Sequence, residues 1–514
     1  MSDARPTPAA GGLKLPAFAS RDLAASLVVF LVALPLCMGI AIASGVPAEK
    51  GLITGIIGGI IVGALAGSPL QVSGPAAGLA VIVFDIVQKH GIGMLGPLLI
   101  VAGAIQLLAG VAKLGQWFRA ISPAVVHGML AGIGLLIVVG QFQVLVGEKP
   151  LPNGLANLLA IPTTVFGLTP HDPGHPEATM FVGLATIIAM VAWDKFKPQK
   201  LRLLPGALMG VLAGTFLTIG FGLEVHKIDV PASLIAAIDT PTSANLGRMI
   251  EPTLLLTAVA IAFIASAETL LSAAAVDKMH DGPRTQYNKE LFAQGVGNML
   301  CGAAGALPMT GVIVRSSANV QAGAMTRASA ILHGIWILGF VALLPFVLAQ
   351  VPNAALAGVL VVTGWRLVKL DHAKELFSRY GLLPAAIWGV TFFTVVATDL
   401  LMGVLVGLAL TTLELIPHLK DLRLRVNKQE VGSDAHEVSL EGRATFVQLP
   451  RLTKLLEQLP DGGVIRLDAS KLKTLDHTCA EVLRDWLAQK DRAGAKVVVD
   501  AGPYGPQLAA GGAH

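Results

Sequence analysis

Two charged residues stand at depths where charge is costly. Glu268 lies in the apolar stretch "IAFIASAETLLSAAAVDK", nine residues before Asp277. That is about 13.5 Å along a helix, so Glu268 falls near the middle of the run. Ser272 follows one turn later on the same face. A carboxylate beside a hydroxyl suits coordination of Na⁺ or relay of a proton. Arg315, in "GVIVRSSANV", precedes Arg327 by twelve residues, about 18 Å of helix. A cation at such depth has to be paired or line a wet cavity. It would attract an anion or balance the carboxylate at Glu268. His127 and His333 also sit in apolar runs, where a hydrogen-bonded packing role is expected and a proton relay is the alternative. Asp85 is expected near an outer mouth, and Asp399 in a loop between the last two spans.

The elements that must hold these residues carry two interruptions. In "SPLQVSGPAAGLAVIVF" a glutamine, two serines and two prolines break an apolar segment. Pro75 fits the first position of a helix, with Ser73 or Gly74 as cap. A helix from Pro75 to about Gln88 is about 21 Å long, too short for a hydrocarbon core of about 30 Å. "GALPMTGVIVRSSANV" repeats the pattern, with Pro308 and Gly311 before a helix expected from about Gly311 to Arg327. The breaks fall at matching places in two halves of the chain, which points to an internal repeat with the site between the halves. Facing half-helix starts offer free N–H donors and positive dipole ends, and so form an anion site.

The rest of the sequence sets the frame. Of 514 residues, 54% are hydrophobic and only 14% charged. Apolar runs long enough to cross a bilayer begin near Leu23, Gly51, Leu70, Met94, Ser122, Ala178, Leu203, Thr253, Leu291, Pro308, Ala328, Ala354, Leu382 and Leu400. This is a polytopic α-helical membrane protein with about fourteen spans, some short or broken. An odd number of spans per half requires the halves to be inverted. Loops on the N-terminal side hold roughly nineteen Lys and Arg against five opposite, which places both termini in the cytoplasm. Gly51, Gly55, Gly59, Gly63 and Gly67 form a stripe for close helix packing or for a sliding surface. Residues 1–20 read as a cytoplasmic tail, without a cleavable signal pattern, and 21–418 as the transmembrane domain.

Residues 419–514 read as a linker and a small cytoplasmic α/β domain. Strands are expected at 437–440, 444–449, 464–467 and 496–499, and helices at 452–458 and 478–489. The net charge of +4 sits in loops and tail, and no basic-aromatic stripe suggests nucleic acid. Cys37, Cys301 and Cys479 form no disulfide framework and no metal-ligand spacing. No Walker A, HExxH or GxSxG motif is present, so the chain is not expected to be an enzyme.

With these residues in view, the chain resembles the SulP family of anion transporters, bacterial relatives of solute carrier family twenty-six. The matching stretches are "LVALPLCMGIAIASGV", "QVSGPAAG", "SAETLLSAAAVDKMHD", "NKELFAQGVGNMLCGAAGALPMTGVIVRSSANVQAGAMTR" and the tail "IRLDASKLKTLDHTCAEVL", which looks like a STAS domain. The resemblance implies a seven-plus-seven inverted repeat of core and gate domains, a homodimer, and an elevator-like motion. It implies a substrate site of Pro35, Leu36, Ile40, Ser73, Gly74, Ala76, Ala77, Gly311, Val312, Ile313, Val314, Arg315 and Ser316. Glu268 and Ser272, with Gly311 and Ile313, match a coupling-ion site, metal-binding only if the ion is Na⁺. The Na⁺-coupled members carry Asp where this chain has Glu268, so Na⁺ and H⁺ both stay open. Asp476 and Thr478 match the Asp and the phosphorylatable hydroxyl of STAS proteins, with a helix cap as the other reading. The implied activity is secondary transport of a small inorganic anion, bicarbonate first, sulfate or a dicarboxylate second. A passive channel and a STAS-based membrane scaffold are the readings of another class. The implied setting is the bacterial plasma membrane, with lipid and a cytoplasmic STAS partner such as carbonic anhydrase. No cofactor is implied beyond the coupling ion.

Overall fold

Backbone in lipid has to satisfy its own polar groups, so the apolar runs close on themselves as helices. The computed structural model describes residues 17–508 apart from 116–121, 149, 152–153, 166–175, 202–203, 229–235, 278, 281, 369, 399, 416–423, 431–434, 446–447, 461–463 and 493. Asp399 therefore lies outside the described residues. In chain order the membrane part contains α1 (Ala17–Ala43), α2 (Ala48–Ile57), β1 (Ser73–Pro75), α3 (Ala80–His90), α4 (Leu95–Val111), α5 (Pro123–Leu145), α6 (Gly154–Val165), α7 (Pro176–Phe196) and α8 (Gly206–Gly220). It continues with α9 (Pro252–Asp277), α10 (Tyr287–Ala303), β2 (Met309–Gly311), α11 (Ile313–Gln321), α12 (Ala328–Leu343), α13 (Asn353–Leu367), α14 (Leu370–Tyr380), α15 (Leu382–Ala397) and α16 (Leu400–Leu415). Phe216, Phe393 and Leu108 are 69%, 68% and 64% exposed. Large apolar side chains turned outward at this density suit lipid rather than water. The helices α6 and α14 were not expected from the hydropathy. Both are short, and α14 is charged along one face ("LDHAKELFSRY").

Two bundles share the work. One contains α1–α4 with α9–α12, and the other is built from α5, α7, α8, α13, α15 and α16. In the first, α4 packs on α9 and α10, and α12 packs on α1 and α2. These contacts interchange when α1, α2 and α4 are laid on α9, α10 and α12, as an internal repeat requires. The glycine stripe of α2 is a packing face. A Cβ at Gly51 would lie 1.9 Å from the Cys37 carbonyl oxygen, and one at Gly59 would lie 2.7 Å from the Gly334 Cα. A π turn at Gly58–Val62 sits in the middle of that face.

Both half-helices are shorter than their sequences suggest. Pro75 does not open a helix. The chain stays extended because the Ala76 N–H is taken by the Pro308 carbonyl (3.0 Å), and the α-helix begins at Ala80 after a 3₁₀ turn. At the other break α11 stops at Gln321, six residues before Arg327. The Gly323 N–H bonds the Val320 carbonyl and the Ala324 N–H bonds that of Asn319, with Gly323 at φ 90°. This is a Schellman stop, for which a left-handed glycine is the usual residue.

The C-terminal unit contains β3 (Leu424–Glu430), β4 (Ala435–Ala444), α17 (Leu449–Glu457), β5 (Val464–Asp468), β6 (Leu472–Leu475), α18 (His477–Arg492) and β7 (Lys496–Asp500). The sheet runs β3-β4-β5-β7, with β6 also on β4; only β3/β4 is antiparallel. The strand expected at 444–449 does not form. Ala444 ends β4, and Leu449 already opens α17, with Pro450 in its first turn, a position that favours helix. The unit docks on the membrane bundle. Ser122 Oγ lies 2.7 Å from His477 Nε2, and Arg484 reaches the Tyr380 hydroxyl (3.3 Å) and Glu375 (3.8 Å).

Candidate functional site

The two breaks meet each other. β1 and β2 pair antiparallel, Ser73 opposite Gly311, Gly74 opposite Thr310 and Pro75 opposite Met309. The Val312 N–H donates to the Val72 carbonyl (2.9 Å), and the Gly311 N–H to Thr269 Oγ1 of α9 (3.1 Å). The donors expected to face a ligand are thus partly consumed in holding the breaks together. Past the pairing, the Leu79 N–H is taken by the Ala76 carbonyl and the Gly78 N–H faces Glu268, so the donors that remain are those of Ala77 and of the first turn of α11, and neither start carries a side-chain cap. Orphan N–H groups of this kind favour an anion.

Behind the pair, Ser316 Oγ accepts from the Val72 N–H (2.9 Å) and donates to the Val312 carbonyl (2.7 Å). Ser73 Oγ accepts from Gln294 (2.7 Å). Both serines are committed to the scaffold. In front of the pair lies a cavity of about 690 Å³. Leu36, Ile40, Ala77, Val312, Ile313, Val314, Arg315, Glu268 and Ser272 line it. Pro35, Ser73, Gly74, Ala76, Gly311 and Ser316 are buried and are not among its lining residues. The opposite wall comes from the second bundle, with Met129 and Ile133 of α5 and Leu360 of α13. Those wall residues are ordinary core types, and nothing in the sequence sets them apart.

The two charges do not pair. Glu268 faces Gly78 and Thr310, and its Oε2 has no hydrogen-bond partner. Arg315 is fully buried, and none of its three guanidinium nitrogens has a partner. It lies beside the Cys37 thiol, with Nη1 where a Cβ on Gly74 would be, 1.9 Å away. The option that Arg315 balances the Glu268 carboxylate is therefore not realised. Thr310, whose buried hydroxyl also lacks a partner, was not singled out by the sequence; a threonine in an apolar run is unremarkable there. Of the histidines, His333 is buried against Gly59 with Nδ1 on the Ala330 carbonyl, and His127 lines the cavity. Asp85 pairs with Lys89 (2.9 Å) near the end of α3.

At its far end the cavity reaches the C-terminal unit, where Thr453, Thr478, Glu481, Asp485 and Lys490 line it opposite Asp277 and Arg284. Asp476 caps α18 by accepting from the Cys479 N–H (2.7 Å). Thr478 is 1% exposed.

The sulfate permease family matches residues 20–391. YvdB of Bacillus subtilis (strain 168), a provisionally named sulfate transporter, is 30% identical over 80% of this chain and 76% of its own. The bicarbonate transporter BicA of Picosynechococcus sp. is 24% identical over 81% of this chain and 73% of its own. Among solved structures, the transmembrane domain of a cyanobacterial BicA superposes with TM-score 0.63 at 24% identity, covering 75% of this chain and 97% of that one. Murine solute carrier 26 member A9, an anion transporter in its inward-facing state, gives 0.65 at 16% identity, covering 95% and 86%.

Proposed function

Given that the chain belongs to the sulfate permease family, we propose that it is a secondary transporter of bicarbonate, with the anion held between the starts of α3 and α11. The observation that carries this reading is Arg315: a fully buried guanidinium that sits beside the Cys37 thiol and has no carboxylate partner among the described residues. An uncompensated buried charge costs several kcal/mol, and an anion in the adjoining cavity offsets that cost with charge-assisted hydrogen bonds. Glu268 on the facing wall is the coupling group. Taking up H⁺, or Na⁺ together with Ser272, removes its charge and leaves Arg315 in command of the site. With Glu268 neutralised the site carries the single positive charge of Arg315, which favours a monoanion such as bicarbonate. Sulfate or a dicarboxylate is the second reading, favoured by the sulfate-transporter relatives, and a dianion would leave one negative charge that Arg315 does not balance.

The motion is elevator-like, with the bundle of α1–α4 and α9–α12 carrying the site past the other. The protein works as a homodimer in a bacterial plasma membrane, both termini cytoplasmic and the C-terminal unit acting as a STAS domain. Proteoliposomes given radiolabelled bicarbonate, sulfate or fumarate, each with and without Na⁺ and a pH gradient, test the proposal. Bicarbonate accumulation against its gradient, driven by one of the two ions, is expected. Flux that only dissipates gradients would make the protein a channel, and no flux of any of the three would leave the scaffold reading.

A further inference from the structure

The stretch "NKELFAQGVGNML" falls on α10, and none of its residues lines the cavity; of α10 only Tyr287, just before the stretch, does. Its face towards the breaks carries three polar residues four apart: Glu290, Gln294 and Asn298, each at most 1% exposed. Spacing of four keeps them on one face. Each holds a different point of the two broken segments. Glu290 Oε2 accepts from the N–H groups of Gly67 (2.8 Å) and Ser68 (2.9 Å), where the chain leaves α2 for the first break. Gln294 Nε2 donates to Ser73 Oγ in β1 (2.7 Å) and to Glu290 Oε1 (3.0 Å). Asn298 pairs with Met309 of β2 on both sides of its amide, accepting from the N–H (2.8 Å) and donating to the carbonyl (3.0 Å). It also donates to Gln106 of α4 (2.8 Å). Asn298 thus does for β2 what a third strand would do.

We propose that Gln294 and Asn298, braced by Glu290, are positioning residues that set where the starts of α3 and α11 stand relative to each other, and so the affinity of the site for its anion. A three-residue strand pair makes too few hydrogen bonds to fix its own register. Each amide here ties one strand to a rigid helix of the same bundle, four residues before a helical start that faces the cavity: Ser73 before Ala77 and Met309 before Ile313. Three buried polar groups on one helix would each be costly if left unpaired. Apart from the Gln294–Glu290 bond within α10 and the Asn298–Gln106 bond to α4, their hydrogen bonds go to the breaks. The inference rests on the transport reading above.

The test is a double-variant cycle in proteoliposomes, read as KM and kcat for labelled bicarbonate and sulfate, with melting temperature measured alongside. Ser73→Ala and Gln294→Leu should each raise KM about ten-fold with a smaller change in kcat. The double variant should be no worse than the poorer single, because Gln294 acts through Ser73. Asn298→Leu should raise KM in the same way. If it yields no folded protein, the Ser73/Gln294 cycle decides alone. A lowered melting temperature with KM within two-fold of wild type would make the row a scaffold only, and additive effects on KM would mean that Ser73 and Gln294 act separately. Either result overturns the inference while leaving transport intact. Absence of saturable uptake by the wild-type protein overturns the transport reading and this one with it.

Discussion

Arg315 and Glu268 show how much one side chain can announce. Each is an ionisable group in an apolar run, and such a group is expensive unless it has work to do. That made both visible from their surroundings alone, whereas their failure to pair depends on which way two helices face and was not. Gln294 and Asn298 gave no such signal, because an amide is cheap to bury once hydrogen-bonded, and Thr310 gave none because a lone threonine is ordinary in an apolar run. The charges make distinct predictions. Arg315→Ala should raise KM for the transported anion about 10- to 100-fold, the loss of roughly 1.5–3 kcal/mol from hydrogen bonds to a charged group; an unchanged KM would make the residue structural. Glu268→Gln keeps the shape of the side chain and removes its charge change. Uptake against a gradient should disappear while exchange of labelled for unlabelled anion continues, and concentrative uptake at the wild-type rate would take Glu268 out of the coupling step.

Among the elements, the breaks were visible as proline and glycine inside apolar segments, but their geometry was not. A proline can open a helix or end a strand. What decided between them at Pro75 was a partner far along the chain, the Pro308 carbonyl that takes the Ala76 N–H. At the other break the stop signal was present in the sequence as Gly323, and the longer helix to Arg327 followed from hydropathy alone. Gly74 is the element-level test. A methyl group there would land on Arg315 Nη1, 1.9 Å away, and meets no backbone. Gly74→Ala should therefore displace the guanidinium and raise KM at least ten-fold, while the melting temperature stays near wild type; a variant that transports normally would show that Arg315 can move without consequence. In the C-terminal unit, Cys479 sits in the first turn of α18, a place that by itself lowers a thiol pKa. Burial and the neighbouring Asp476 carboxylate act the other way and push the thiol well above its ordinary range. Because only the thiolate reacts, Cys479 should stay silent to maleimide at neutral pH in the folded protein and react once the domain is unfolded; labelling of the native protein at the rate of a free thiol would contradict this.

On the scale of the whole molecule, composition and the spacing of apolar runs were enough for a polytopic bundle with a polar α/β tail. The placement of the tail was not readable, since it depends on single contacts between loops and helix ends that have no periodicity. Those contacts put α17 and α18 across one end of the cavity, which is lined there by Asp277 and Arg284 on one side and by Glu481, Asp485 and Lys490 on the other. Among the described residues the anchor includes Ser122 with His477 at 2.7 Å, and Arg484 with Tyr380 and Glu375 on α14. Ser122 also precedes α5, whose Met129 and Ile133 form the wall facing the site. A hydrogen bond at that position therefore ties the C-terminal unit to the bundle opposite the one that carries Arg315 and Glu268. If the unit is held there in solution, Ser122→Ala and His477→Ala should not be additive in the thermal stability of the full chain. A buried hydrogen bond of this kind leaves a coupling of about 1 kcal/mol in a double-variant cycle. Additive effects would mean that the two units melt without reference to each other, and the cavity would then open straight to solvent on that side.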